Sequence, residues 1–169
     1  MQWLLALEID NDPISLCRLM NNFRRKGIRV VALSLAAAGA GFSLTAVVET
    51  PEAGVDHLFH FLRRSEGVDH VSCYLPASDQ EPDTLGSDGQ VSYIFVNAGS
   101  DSSGNSRVVE LFPGGKVIVG SQGKLLLEIP VKGGGHYLPT AVTTLDGVEF
   151  VRFIRVKTSR SQAVSQLVA

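Results

Sequence analysis

Nineteen consecutive residues, 30–48, carry no charge, and they follow the basic run Arg24-Arg25-Lys26. Length, apolarity and a positive flank are what a membrane-spanning helix needs. The run's own pattern argues against one. Its middle, Ala36-Ala37-Ala38-Gly39-Ala40-Gly41, is a turn-like break. Its second half alternates, with Phe42, Leu44, Ala46 and Val48 set against Ser43, Thr45 and Glu49, the period of a strand. It also begins after a complete amphipathic helix, too late for a signal peptide. The stretch therefore predicts a buried β-hairpin in a soluble protein with no membrane partner.

The hairpin sits inside a regular succession of elements. Gln2–Ile9 is short and apolar, a buried strand. Asp12 offers an N-cap with Pro13 at the first helical position. Leu16, Leu19, Met20 and Phe23 follow at helical spacing, and Gly27 closes the helix. The hairpin strands are expected over residues 28–37 and 42–50. Thr50-Pro51-Glu52 repeats the cap-and-proline signal, and Val55, Leu58, Phe59 and Leu62 form the next stripe. Gly67 ends that helix before a strand over residues 68–75. The order is βαββαβ, with both helices on one face of an antiparallel sheet.

Residues 77–89 (ASDQEPDTLGSDG) are acidic and rich in turn formers, a linker. The same order then returns. Val91–Asn97 is a strand, and residues 98–105 (AGSDSSGN) are a glycine- and serine-rich loop expected to be mobile. Residues 106–112 form a short helix stopped by Pro113-Gly114-Gly115. Residues 116–120 and 124–131 make a hairpin around Ser121-Gln122-Gly123. A weak helix over 139–145 and a strong strand over 148–156 complete the repeat. The predicted fold class is α+β, with two ferredoxin-like βαββαβ modules in tandem. They span residues 1–76 and 90–158, joined by the linker at 77–89 and followed by a tail at 159–169.

The totals narrow the partners. A chain of 169 residues with 44% hydrophobic and 19% charged residues has an ordinary globular composition. A net charge of −2 gives no reason to expect nucleic acid. Two cysteines, Cys17 and Cys73, are too few for a disulfide framework and favour the reducing cytoplasm.

The residue types that carry catalysis do not assemble. Gly120-Ser121-Gln122-Gly123-Lys124-Leu125 lacks the spacing and the final Ser or Thr of a phosphate loop, and Gly133-Gly134-Gly135 is no dinucleotide fingerprint. No serine sits in a nucleophile elbow. His57 and His60 share a helix face opposite the apolar stripe, near Arg64. His70 and Cys73, three apart on a strand, point to opposite sides and cannot share one ion. Cys73 shares its face with Val71 and Leu75 and is expected in the core. The cations at 24–26 suit a helix C-terminus. No catalytic residue, metal site or cofactor is expected.

One position remains unexplained by these rules. Ile14 lies about 160° around the helix from Leu16, among Arg18, Asn21 and Arg25 on the polar face. A helix entrance with free N–H groups suits a carboxylate or phosphate, and glycine is what lets a ligand close to it. An isoleucine there packs against a partner subunit, narrows a ligand pocket, or is an incidental exposed apolar residue of a common kind.

The βαββαβ order with Asn11-Asp12-Pro13 at its first turn resembles the ACT domain, an amino-acid-sensing module. Within that group it is similar to the small regulatory subunits of acetolactate synthase (acetohydroxyacid synthase). That family opens its first helix with Asn-x-x-Gly-x-Leu-x-Arg, then carries Phe-x-x-Arg-Gly and an Asn-Ile-Glu-Ser-Leu strand. Asn11, Leu16, Arg18, Phe23, Gly27 and Leu33 match, and residues 58–71 (LFHFLRRSEGVDHV) look like its Gln-Leu-x-Lys-Leu-x-x-Val segment. The sequence departs where Ile14 replaces the family glycine and Arg29-Val30-Val31-Ala32 replaces Asn-Ile-Glu-Ser.

The resemblance implies a non-catalytic regulatory subunit of branched-chain amino-acid biosynthesis. It would be a homodimer through its first module, bound to the catalytic subunit of acetolactate synthase and passing on amino-acid feedback. Thiamine diphosphate, Mg²⁺ and FAD, where used, would belong to that partner. The effector or dimer positions carried over are Asn11, Asp12, Pro13, Ile14, Ser15, Arg29 and Val30. Arg29 is left with two roles, clamping a carboxylate or pairing with Asp12. The alternative function is a stand-alone ACT-type amino-acid sensor without a synthase partner.

Overall fold

The uncharged run folds as a hairpin. In the computed structural model, which describes residues 1–77, 91–97, 102–121, 123–130 and 149–160, β2 (Arg29–Ala38) pairs antiparallel with β3 (Gly41–Glu49) along its whole length. Gly39 takes the turn at φ +57°, a left-handed conformation that glycine adopts without penalty. Among the described residues, no helix is long and apolar enough to cross a membrane.

Two compact units divide the chain, one of Met1–Leu75 together with the chain from Arg155 on, the other of Pro76–Ile154. The first runs β1 (Gln2–Ile9), α1 (Pro13–Arg25), β2, β3, α2 (Glu52–Arg63) and β4 (Val68–Ala77). Its strands lie in the order β2-β3-β1-β4, antiparallel throughout, the ferredoxin-like arrangement expected of βαββαβ. The helices cover one face. Trp3, Leu5, Leu7, Ile9, Leu44, Ala46, Val48, Val71 and Cys73 meet Leu19 and Phe23 of α1 and Val55, Leu58, Phe59 and Leu62 of α2 in one core. Leu16 is partly buried against it, whereas Met20, expected in the same stripe, is 37% exposed and Ser15 is buried instead.

Part of the sheet's other face is buried too. Leu4 pairs across to Val47 and Tyr74, and all three are buried, as are Thr45, Ser72 and Ala32. The alternation of the run is real, but from Leu44 to Val48 both of its phases are buried, Thr45 included. A bulge between Val30 and Ala32 contributes. It adds one residue, so Val30 packs into the helix-side core while Ala32 lies beside Val47 on the opposite face.

α2 corrects a local expectation. Pro51 itself occupies the N-cap position, with no side-chain cap bond, so Thr50 does not cap this helix. Proline lacks the N–H that a cap would otherwise leave unpaired, and burial of Val55, Leu58, Phe59 and Leu62 holds the helix without a cap.

The second unit repeats the pattern with β5 (Val91–Asn97), α3 (Ser102–Leu111), β6 (Lys116–Ser121), β7 (Lys124–Pro130) and the first half of β8 (Glu149–Arg160), up to Ile154. Its order is β8-β5-β7-β6, again antiparallel. Ile94, Val96, Leu125, Leu127 and Ile129 bury Val108 of α3. That contact explains why α3 begins at Ser102, inside the stretch expected to be a mobile loop at 98–105. Serine, glycine and asparagine are weak helix formers, and tertiary burial overrides propensity. The helix expected over 139–145 lies outside the described residues.

Candidate functional site

The entrance of α1 is a knot of hydrogen bonds. The Asp12 carboxylate accepts from the Ile14 N–H at 3.0 Å, the N-cap bond that relieves one orphan donor of the first turn. Asp10 Oδ1 accepts from the Asp12 N–H at 3.2 Å. The Ser15 hydroxyl lies within reach of both carboxylates, 3.3 Å from Asp10 Oδ2 and 3.4 Å from Asp12 Oδ2. Ser15 is buried, and Gly67 is the reason it fits. At φ +78°, Gly67 turns the chain from α2 into β4, and a Cβ there would overlap the Ser15 hydroxyl and lie 2.9 Å from Asp10 Oδ2. The Asp10 N–H in turn donates to the Gly67 carbonyl at 2.9 Å. One further tie is the Arg18–Glu66 ion pair, which at 58% and 80% exposure adds little stability.

Ile14 stands outside the knot. Its side chain is 58% exposed, as its position on the polar face predicts. The backbone group that a ligand carboxylate would seek, the Ile14 N–H, is already held by Asp12. An open cleft of about 650 Å³ adjoins the entrance, with Asp10 and Asn11 on one side and the hairpin residues Ala38 and Gly39 on another. Its charged lining residues, Glu8, Asp10 and Asp69, are all acidic. This environment opposes a free carboxylate and favours a cation.

Arg29 and Val30 do not join the others. The register sets Gln2, Glu49 and Arg29 side by side at one end of the sheet, and Ile9, Phe42 and Ala37 at the other. Asn11–Ser15 follow Ile9, so Arg29 lies away from them by nearly the length of β2, about 30 Å at ~3.3 Å per residue. Arg29 pairs instead with Glu49 at 3.1 Å, its side chain 78% exposed, which removes the pairing with Asp12 inside one copy. Val30 is partly buried against the core.

Neither a protein-family profile nor a curated protein sequence matches the chain. A solved structure to which it is similar is the small subunit of acetolactate synthase from Thermotoga maritima. The match has 16% identity and a TM-score of 0.40, covering 95% of this chain and 97% of that one. A likeness that distant carries neither function nor the role of a residue.

The remaining candidates resolve individually. His57 and His60 are exposed, and His70 Nε2 lies 3.2 Å from the Ser72 hydroxyl. Among the described residues, no three His, Cys, Asp or Glu side chains form a metal-holding group. Cys73 is in the core, where burial pushes its thiol from 9.0 up to about 12. Cys17 is exposed. A thiol reagent at pH 8 is therefore expected to label Cys17 in the folded protein and to reach Cys73 only after denaturant is added. The folded state keeps the Cys73 proton above pH 9 while the unfolded chain loses it. Cys73 therefore lowers stability as pH rises from about 9 towards 12, and leaves it unchanged below.

Sequence reasoning singled out Asn11–Ser15 but left out Asp10 and Gly67, which the structure ties to Ser15. The Asp10-x-Asp12 spacing was a visible signal for paired acceptors at a helix start. Gly67 was read only as a helix end, because its contact with Ser15 is formed across 52 residues of chain.

Proposed function

We propose that this chain is a non-catalytic regulatory subunit that binds and activates an acetolactate synthase catalytic subunit, as a homodimer through its first unit. The observation that carries the reading is the α1 entrance. Asn11-Asp12-Pro13 caps the first helix of a ferredoxin-like unit, at the turn where the resembling family holds its effector, and a second unit of the same order follows. The sequence likeness in Leu16, Arg18, Phe23, Gly27 and Leu33 supports it. The finer roles of Asn11, Asp12, Pro13, Ile14, Ser15, Arg29 and Val30 at an effector pocket or dimer interface belong to this proposal.

In the proposed mechanism the dimer presents one arrangement to the catalytic subunit, and differential binding to that arrangement raises its activity. Feedback by valine is weakened here, because Ile14 fills space next to an N–H that Asp12 already occupies. The test is co-purification with a catalytic subunit from the same genome and assay of acetolactate formation with and without this chain. Binding with several-fold activation is expected; a dimer that neither binds nor activates would leave the stand-alone sensor in its place. Thermal unfolding adds the effector arm. A ligand at a hundredfold its Kd stabilises by about 2.7 kcal/mol, several degrees for a small domain. Valine is expected to leave the wild-type Tm unmoved and to raise that of Ile14→Gly.

A further inference from the structure

The outer face of α1 carries more positive charge than the helix itself explains. Arg24 and Arg25 stand in the last turn, where the dipole favours cations. Arg18 stands two turns earlier, where it does not. Arg18, Asn21 and Arg25 lie within about 60° of one another, on the side opposite Leu16 and Phe23. With Asn22 and Arg24 they line an open concavity of about 440 Å³. Its charged lining is basic throughout, in a chain whose net charge is −2. The exposed Glu66 carboxylate pairs with Arg18, and Arg24 Nε donates to Asn21 Oδ1 at 3.4 Å. Among the described residues no carboxylate pairs with Arg25.

We infer that this face docks an acidic helix of the catalytic subunit, one whose carboxylates stand two turns apart on one side. The inference rests on the synthase partner of the proposed function and adds the surface and the chemistry of the contact. Arg18 and Arg25 are separated by about 10.5 Å along the axis, at ~1.5 Å per residue. Acidic residues at i and i+7 of a helix laid alongside repeat at the same distance. Each carboxylate then meets a guanidinium in the bidentate geometry that arginine favours. Asn21 and Asn22 fall between the pairs, and their amides both donate and accept, which suits a neutral polar group there. A continuous polyanion fits this row poorly. Towards the helix start it runs into Glu66, Asp12 and Asp10, whose carboxylates repel a phosphate backbone extending past Arg18. Two protein carboxylates stop short of them. Charge contacts of this kind speed encounter and fix orientation.

The experiment measures binding of wild type and three variants to the catalytic subunit from the same genome by titration calorimetry, with acetolactate formation assayed alongside. Arg25→Glu is expected to weaken binding about tenfold and Arg18→Glu/Arg25→Glu about a hundredfold, with activation falling in parallel. Arg107→Glu makes the same change of charge on α3 and is expected to leave binding unchanged. All three positions are exposed, so the fold tolerates the changes. A second reading needs no variant. Cys17 is exposed and lies about 40° around α1 from Asn21, at the edge of the face. Its labelling by a thiol reagent is expected to slow about tenfold when the wild-type complex forms. Arg25→Glu as tight as wild type, an equal loss in Arg107→Glu, or Cys17 labelled as fast in the complex would each overturn the inference and leave the proposed function standing. A wild type that does not bind the catalytic subunit would remove both. Retention on duplex DNA or phosphatidylserine vesicles at about 0.15 M salt, abolished by the double reversal, would give the face to another polyanion and overturn the inference too.

Discussion

Replacing Leu4 by alanine is expected to destabilise the first unit by about 3 kcal/mol, as much as replacing Leu5. Leu5 lies under the helices, where any amphipathic reading of β1 puts it. Leu4 points the other way, to the face that a half-buried sheet would give to water, and there the change would cost almost nothing. It is instead fully buried beside Val47 and Tyr74. Truncation removes the transfer energy of three carbons and leaves a cavity that the paired strands on either side cannot collapse into. For a unit of this size the loss corresponds to a fall in Tm of about 12–24 °C. Chemical denaturation of Leu4→Ala and Leu5→Ala side by side reads the difference. A Leu4→Ala midpoint equal to wild type would show the second face to be open.

The second large effect belongs to Gly67→Ala. Two costs combine there. A residue with a Cβ pays about 1–2 kcal/mol to hold φ near +78°, and the methyl group would occupy the space of the buried Ser15 side chain. Ser15 cannot yield without losing its bonds to Asp10 and Asp12. A total of about 3 kcal/mol is expected. The informative comparison is Gly67→Ala with Ser15→Gly. Removing the Ser15 side chain clears the space but not the backbone strain, so the double variant should recover part of the loss and no more. Full recovery would place the whole cost in the overlap, and no recovery would place it all in the backbone. Either result comes from the denaturation midpoints of the three variants.

The candidate site was only half legible in the residues. Asp12 and Pro13 signalled a helix start, and the 100° step between residues placed Ile14 on the outer face; both are local properties. Arg29 could be left clamping a carboxylate or pairing with Asp12 because spacing along a chain does not reveal which end of a sheet a residue reaches. The register answered that, setting Arg29 beside Glu49. Gly67 illustrates the same limit. Its role depends on Ser15, a neighbour through folding and not through sequence.

Period and punctuation were enough to determine the order of elements. Alternating apolar residues gave strands, 3.6-residue stripes gave helices, and Gly27, Gly39 and Gly67 marked where each stopped or turned. These signals act within a few bonds of one another, so they survive without any knowledge of the fold. Tertiary structure alone decided that Leu4, Val47 and Tyr74 on the second face of the first sheet are buried, that Met20 stays exposed while Ser15 does not, and that α3 starts at Ser102. Each of those outcomes depends on which distant segment covers a surface, and burial against a distant segment outweighs local preference by several kcal/mol.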